Sequence, residues 1–125
     1  MKLLRSFLIL TLVVLLSACN TATKVTKVQK NGETTLTIGS LQGYYDVQTL
    51  KAEKGNVEIP YEAAVEEGTI LLQVTKDDKV IYEEVTSQKE GLLSFEAPKP
   101  GSYDLIVRVK GEEEKAKGIQ IHTKL

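Results

Sequence analysis

Apolar and polar residues alternate along most of the chain from Leu36 onward, with a repeat of two residues. The clearest run is 103–109, in which Tyr103, Leu105, Val107 and Val109 share one phase. This repeat is typical of a β-strand that has one face on a core and the other in water. Shorter runs with the same repeat lie at 36–38, 57–65, 70–74, 93–97 and 119–121.

Turn residues separate these runs at intervals of roughly 8 to 15 residues, the spacing expected of sandwiches and barrels. Asp77-Asp78 divides 69–86 into the two strands of a predicted hairpin, and the polar segment 112–117 is interpreted as a loop. Pro60 cannot donate a ladder hydrogen bond, so its position inside a run indicates an edge strand or a bulge. We predict an antiparallel β-sandwich of seven to eight strands over residues 35–125.

The first 18 residues have a different pattern. Lys2 and Arg5 accompany Phe7–Leu16, a segment in which nine of ten residues are apolar. A cationic start followed by a short apolar run is typical of a secretory signal peptide, so we predict a signal helix over 1–18 that is cleaved from the mature chain. The segment ends in Leu16-Ser17-Ala18-Cys19, which contains the only cysteine of the sequence.

This ending resembles the lipobox of bacterial lipoproteins. The resemblance implies cleavage between Ala18 and Cys19 and a thioether-linked diacylglycerol on Cys19, and it leaves open whether the new amine is acylated. It also implies a protein anchored to the cell membrane, on the extracytoplasmic face. Each buried CH₂ of an acyl chain contributes about 0.8 kcal/mol, so two or more chains hold a protein stably. With no second cysteine, an intramolecular disulfide is excluded.

Residues 20–34 carry four threonines, three lysines and no aromatic residue. Because this segment buries too little apolar surface to offset its ordering entropy, we predict that 19–34 is the lipidated cysteine followed by a flexible tether. Lys24, Lys27 and Lys30 are expected either to rest on anionic headgroups or simply to keep the segment soluble.

Charge excludes one class of protein, and the length of the apolar runs excludes another. After the predicted leader, the chain has 14 basic and 17 acidic residues, so it lacks the cationic surplus of a general nucleic-acid binder. No later apolar run approaches the roughly 18 residues that a membrane-spanning helix needs.

The segment Pro100-Gly101-Ser102-Tyr103-Asp104-Leu105-Ile106-Val107 resembles the P-G-x-Y-x-L-x-V strand start of immunoglobulin-like and other extracellular sandwich domains. In such domains the tyrosine often anchors a corner by hydrogen-bonding to the backbone. The C-terminal strand, with Gly118-Ile119-Gln120-Ile121, also resembles the end of small lipoprotein sandwich domains from low-GC Gram-positive bacteria. The resemblance implies an immunoglobulin-like β-sandwich.

The inventory of reactive residues favours a protein that is not an enzyme and holds no cofactor. His122 is the only histidine and lies on the phase opposite Ile119 and Ile121, so we interpret it as an outward-facing residue rather than a metal ligand. Ser94 or Ser102 could be paired with His122 for nucleophilic catalysis, but no nucleophile motif surrounds either serine. Calcium needs only oxygen ligands, which leaves Asp77 and Asp78 as weak candidates.

Tyrosines are the remaining candidate binding residues, since their rings offer stacking area and a polar group. Tyr61 and Tyr103 share the phase of apolar residues and are assigned to the core. Tyr45 or Tyr82 is therefore the candidate ligand-binding aromatic, although ordinary packing would also explain both.

Three functions stay open for an anchored domain with this inventory. The leading hypothesis is a non-enzymatic interaction or accessory domain that contacts another envelope protein or the cell wall. The alternative is a module that binds wall glycan or a small ligand, such as calcium. A third possibility is an envelope inhibitor or immunity protein that meets its target through an edge strand such as that of Pro60.

Replacing Cys19 with alanine removes the sulfur that would carry the lipid. We expect the Cys19→Ala protein to remain uncleaved or to leave the membrane fraction, as followed by fractionation and by the mass of the N-terminal peptide. Normal membrane retention of this variant would contradict the lipoprotein assignment.

Overall fold

A computed structural model describes residues 20–86, 89–111 and 114–124, which form nine β-strands. The strands are β1 (Thr21–Lys30), β2 (Glu33–Gln42), β3 (Tyr44–Ala52), β4 (Gly55–Ala64), β5 (Ile70–Lys76), β6 (Lys79–Thr86), β7 (Lys89–Ala97), β8 (Gly101–Val109) and β9 (Ala116–Lys124). Within the described residues, no helix is long and apolar enough to cross a membrane. The predicted signal peptide and Cys19 lie outside the described residues.

The strands form two antiparallel sheets, in the orders β1-β2-β9-β4-β7 and β3-β8-β5-β6. The predicted antiparallel β-sandwich is confirmed. Strands β3 to β9 lie within the predicted region 35–125, and β2 begins two residues before it.

Connectivity within the sandwich is that of a jelly roll. Only the β1–β2 and β5–β6 connections join neighbours in one sheet, and every other connection crosses to the opposite sheet. Immunoglobulin domains instead group strands A-B-E-D against C-F-G. The resemblance around Tyr103 thus extends to the sandwich and its corner, and not to the immunoglobulin strand order.

The flexible tether expected over 20–34 is corrected by β1. Strand β1 pairs with β2 from Thr21 opposite Gln42 to Lys30 opposite Glu33, through a turn in which Asn31 and Gly32 both have positive φ. Two positive φ values define the type I′ turn that suits a tight hairpin. The apolar content of this segment is low, but its backbone hydrogen bonds to β2 and its β-branched residues favour a strand.

The core lies between the two sheets and follows the predicted phases. Its largest fully buried side chains are Leu36, Ile38, Leu41, Val47, Ile59, Ile70, Leu72, Leu93, Tyr103, Leu105, Ile119 and Ile121. A buried polar contact also joins the sheets, because the Thr123 hydroxyl of β9 donates a hydrogen bond to the Gln48 side-chain oxygen of β3.

Pro60 lies where pairing on one side of β4 stops. Strand β7 pairs with β4 along Gly55–Ala63, whereas β9 pairs with Tyr61–Ala64. The exposed Pro60 therefore precedes the first residue of β4 that pairs with β9, a position that tolerates the missing donor. Strand β4 is an inner strand, but its first half, up to Pro60, pairs with β7 alone. The prediction that Pro60 lies in an edge strand is therefore met in part.

Tyr103 forms the predicted corner. Its buried hydroxyl donates a hydrogen bond to the carbonyl oxygen of Lys99, four residues earlier, and accepts one of 3.4 Å from the Lys99 amide. The Tyr103 ring meets Phe95 of the opposite sheet with ring centroids 5.7 Å apart. One side chain thus fixes the 98–100 turn and joins the two sheets.

Replacing Tyr103 with phenylalanine should keep the ring packing and remove the bond to Lys99. We expect the free energy of unfolding to fall by about 1 kcal/mol, the net value of a typical hydrogen bond, as measured by denaturant unfolding. The matched control is Tyr44→Phe, the same chemical change at an exposed tyrosine, which should stay within about 0.5 kcal/mol of the parent. Equal losses for the two variants would contradict the corner assignment.

Candidate functional site

Polar side chains form a row across the outer face of the five-stranded sheet. Thr35 of β2 lies opposite His122 of β9, His122 lies opposite Glu62 of β4, and Glu62 lies opposite Glu90 of β7. Neighbouring strands are about 4.8 Å apart, so the row extends roughly 14 Å across four strands. All four side chains stand on the face that does not carry the core.

An open groove of about 540 Å³ follows this row, and we call it the central groove. Its walls and floor are formed by Thr35, Thr37, Glu62, Ala63, Ala64, Glu90, Gln120, Ile121 and His122. A second hollow of about 340 Å³ shares Glu62, Glu90 and His122 with it and extends past Pro60 toward Lys124. The small side chain of Ala64 leaves room between the longer side chains of its neighbours.

His122 is held at the centre of the groove. Its Nδ1 atom lies 2.9 Å from the Thr35 hydroxyl, and its Nε2 atom lies 3.4 Å from a carboxylate oxygen of Glu33. These contacts orient the imidazole on the outer face, where the sequence placed it. Glu62 and Glu90 line the groove, and Glu33 and Lys124 line the adjoining hollow, so carboxylates outnumber ammonium groups around His122.

The central groove was missed at the sequence level. The alternation within β2, β4 and β9 correctly put Thr35, Glu62 and Gln120 on polar phases. It held no information on which strands are neighbours, because β2, β9 and β4 are far apart in sequence. Only that adjacency gathers isolated polar residues into one surface.

Tyr45 does not reach the groove. It lies opposite Val107 on the inner side of β3, at an edge of the sandwich, and packs half-buried against the core. The ammonium group of Lys27 from β1 lies 5.5 Å from the centroid of its ring. This placement supports a packing role for Tyr45.

Tyr82 also faces the core, because of a bulge in β6. Thr75 pairs with Val80 and Val74 pairs with Tyr82, so Ile81 is an extra residue on β6. Ile81 and Tyr82 both pack against the core as half-buried side chains. A bulge changes the phase of a strand, which is why simple alternation put the two on opposite faces.

A hydrogen bond between Tyr61 of β4 and Glu84 of β6 links the two sheets near Tyr82. The Tyr61 hydroxyl donates a short hydrogen bond to the Glu84 carboxylate, and the Tyr61 ring lies against Gly91 of β7, where a Cβ would come within 2.7 Å of the hydroxyl oxygen. Burial, helped by the hydrogen bond and the charge of Glu84, raises the pKa of Tyr61 well above its ordinary value. Burial and Glu84 also raise the pKa of Tyr82.

Asp77 and Asp78, the weak calcium candidates, form the tip of the β5–β6 hairpin. Both have positive φ, 52° and 64°, which is the geometry of a type I′ turn and explains acidic residues there without a metal. The Asp77 carboxylate lies 3.9 Å from the Lys99 ammonium group. The part of the chain that the structure describes contains no group of three or more His, Cys, Asp or Glu side chains suited to a metal ion.

The serines considered for catalysis lie apart from His122. Ser102 belongs to β8 in the other sheet, and the Ser94 hydroxyl donates a hydrogen bond to the Asn56 side chain at 3.1 Å. The Ser–His pairs considered from the sequence therefore do not form.

Comparison with known proteins gives structural neighbours only. No protein-family model matches the sequence, and no curated protein matches it. Solved structures that resemble the chain include a family 61 carbohydrate-binding module in complex with β-1,4-galactotriose (18% identity, TM-score 0.48, 84% of this chain and 82% of that one). Others are a family 4 module (9%, 0.42, 84% and 74%) and a family 29 module (15%, 0.42, 84% and 73%). At TM-scores below 0.5, these likenesses do not extend to a ligand for this chain.

The Tyr61–Glu84 pair predicts how stability depends on alkaline pH. Because the folded state keeps the Tyr61 proton that the unfolded state loses near pH 10, the free energy of unfolding should fall as the pH rises above 10. Glu84→Gln removes the nearby charge, so Tyr61 should titrate closer to pH 10 in an absorbance titration at ultraviolet wavelengths. Glu83→Gln, on the other face of β6, is the control and should leave the titration unchanged. Identical titrations for both variants would contradict this account.

Proposed function

We propose that this chain is a non-catalytic binding domain of the cell envelope and that it binds a glycan in the central groove. The row Thr35–His122–Glu62–Glu90 across four adjacent strands is the observation that carries the proposal. The proposal favours the wall-glycan hypothesis over a general protein-interaction domain.

The groove has the chemistry of a site for hydroxyl-rich ligands. Thr35 and Thr37 offer hydroxyls that both donate and accept, Gln120 offers an amide, and Glu62 and Glu90 offer acceptors. Small-molecule pockets for apolar ligands are mostly lined by hydrophobic side chains, whereas here the long side chains are polar. An open groove of this length suits an extended polymer better than a compact molecule.

Apolar contact is available at one end of the groove. Pro60 and Leu92 lie opposite each other on β4 and β7, and both are exposed on the outer face. Such a surface can pack against the C–H face of a sugar ring while its hydroxyls meet the neighbouring polar residues.

Charge narrows the class of glycan. Glu33, Glu62 and Glu90 surround the groove, and carboxylates repel anionic polymers at close range. We therefore propose a neutral or amine-bearing glycan, and not a phosphate-rich polymer.

We further propose that the domain is held at the extracytoplasmic face of the membrane by lipid on Cys19. The lipobox-like ending Leu16-Ser17-Ala18-Cys19 supports this location, which would bring the groove to the wall side of the bilayer. The Cys19→Ala fractionation described above tests the anchor independently of the groove.

Exchange of single carboxylates tests the groove. Glu62→Gln should weaken binding of purified, uncharged wall-glycan fragments about tenfold, because a carboxylate acceptor of ligand hydroxyls is lost, as measured by calorimetry. The control is Glu58→Gln, on the same phase of β4 but outside the groove, which should change affinity less than twofold. Equal affinities for both variants, or no glycan binding by the parent, would overturn the proposal.

A further inference from the structure

Cys19, the proposed site of the lipid, precedes a residue that is fixed to the sandwich. The Asn20 side-chain oxygen accepts a hydrogen bond of 2.6 Å from the Tyr44 amide. Gly43 has φ of +88°, and a Cβ there would lie 2.4 Å from that oxygen, so glycine makes room for the contact. Strand β1 then begins at Thr21. A single peptide bond therefore separates Cys19 from the folded domain.

A domain attached so closely must rest on the bilayer with one of its nearby surfaces. Two surfaces adjoin Asn20: the end of the sandwich where Lys110 bonds to Thr69, and the edge formed by β1. Among the described loop residues of that end, Glu66, Glu67 and Glu114 outnumber Lys110 and Lys115. This end therefore offers no surplus of positive charge to anionic headgroups.

The β1 edge has the opposite charge. Lys24, Lys27 and Lys30 are all exposed, and Thr21–Lys30 contains no acidic residue. Lys27 extends over Tyr45 on the inner side of the strand, and Lys24 crosses Gly39, where a Cβ would lie 2.9 Å from the Cβ of Lys24. The positive charge thus lies on both sides of the edge, and anionic lipid surfaces attract such segments.

We infer that the anchored domain lies on its β1 edge, with Lys24, Lys27 and Lys30 against the anionic headgroups of the bilayer. This inference rests on the proposed lipid on Cys19. Among the described strands, β1 lies at the edge of its sheet, and contact with the bilayer would cover the outer backbone groups of that strand, which otherwise invite pairing with another chain. In this orientation the row of groove residues begins on β2, nearest the membrane, and ends on β7, farthest from it.

A tryptophan reporter distinguishes this orientation from an upright one, because the chain contains no tryptophan. Val28, 55% exposed on β1, is eight residues from Asn20, or about 26 Å along the strand. In lipidated Val28→Trp protein on vesicles of anionic brominated lipid, we expect fluorescence to be quenched several-fold more than in Leu92→Trp protein. Leu92, 48% exposed, lies on β7 at the opposite edge of the same sheet. Gln29→Trp provides a second reporter on β1 if Val28→Trp folds poorly. Equal quenching at both edges, or none on β1, would overturn the inference.

Charge exchange tests the cause of the orientation. The combined Lys24→Gln, Lys27→Gln and Lys30→Gln variant should lose the quenching of the β1 reporter, and neutral vesicles should have the same effect. The control replaces Lys54, Lys79 and Lys99 with glutamine, which is the same change in charge at exposed sites outside β1 and outside the groove, and this variant should keep the quenching. Quenching that survives loss of the β1 lysines would overturn the electrostatic cause.

The mass of the N-terminal peptide separates this inference from the proposed anchor. If Cys19 carries no lipid, the anchor proposal has failed. The protein can then be coupled through the Cys19 thiol to a maleimide lipid. Quenching of the same tryptophan reporters in that protein still tests the orientation of the domain on the bilayer.

Discussion

The packing of two sheets across one apolar layer is the constraint on which the rest of the molecule depends. Every strand gives alternate side chains to that layer, so the remaining side chains must stand on the outer faces. Contacts that cross the layer, such as Phe95 with Tyr103 and Thr123 with Gln48, fix the sheets relative to each other. The central groove is a by-product of the same alternation, because Thr35, Glu62 and His122 face outward where Leu36, Ala63 and Ile121 face inward.

The central groove and the lysines of β1 lie on different strands of the five-stranded sheet. Strand β1 carries the lysines at one edge, and the carboxylates of Glu62 and Glu90 lie on strands at the other side. Glu33 of β2 lies opposite Lys30 of β1, but no ion pair links β1 to the groove among the described residues. Under the two proposals, the lysines of β1 would meet the bilayer while Glu62 and Glu90, farther along the sheet, would meet the glycan.

Local sequence patterns predict the features that depend on a single strand or turn, and they do not predict the features that depend on which strands pair. Alternation identified Tyr61 and Tyr103 as core residues, and the Asp77-Asp78 hairpin and Tyr103 corner followed from short motifs. The Ile81 bulge, the pairing of β1 with β2 and the jelly-roll order depend on partners distant in sequence. Local pattern therefore does not predict that Ile81 and Tyr82 both pack on the core, nor does it predict the groove. The tether predicted over 19–34 is replaced by strand β1 at Thr21–Lys30. Cys19 stays a prediction from the lipobox resemblance.

Strand β9 follows all other described strands in the chain, yet it lies at the middle of the five-stranded sheet, between β2 and β4. As the chain emerges N-terminus first, the β1–β2 and β5–β6 hairpins can form early, since these contacts are local. The groove, however, does not exist until the last strand arrives, because His122 and Gln120 belong to β9. Contacts so distant in sequence form slowly, so the edges of β2 and β4 that flank β9 stay unpaired until β9 has been synthesised. Completion of the five-stranded sheet and formation of the central groove are therefore one event.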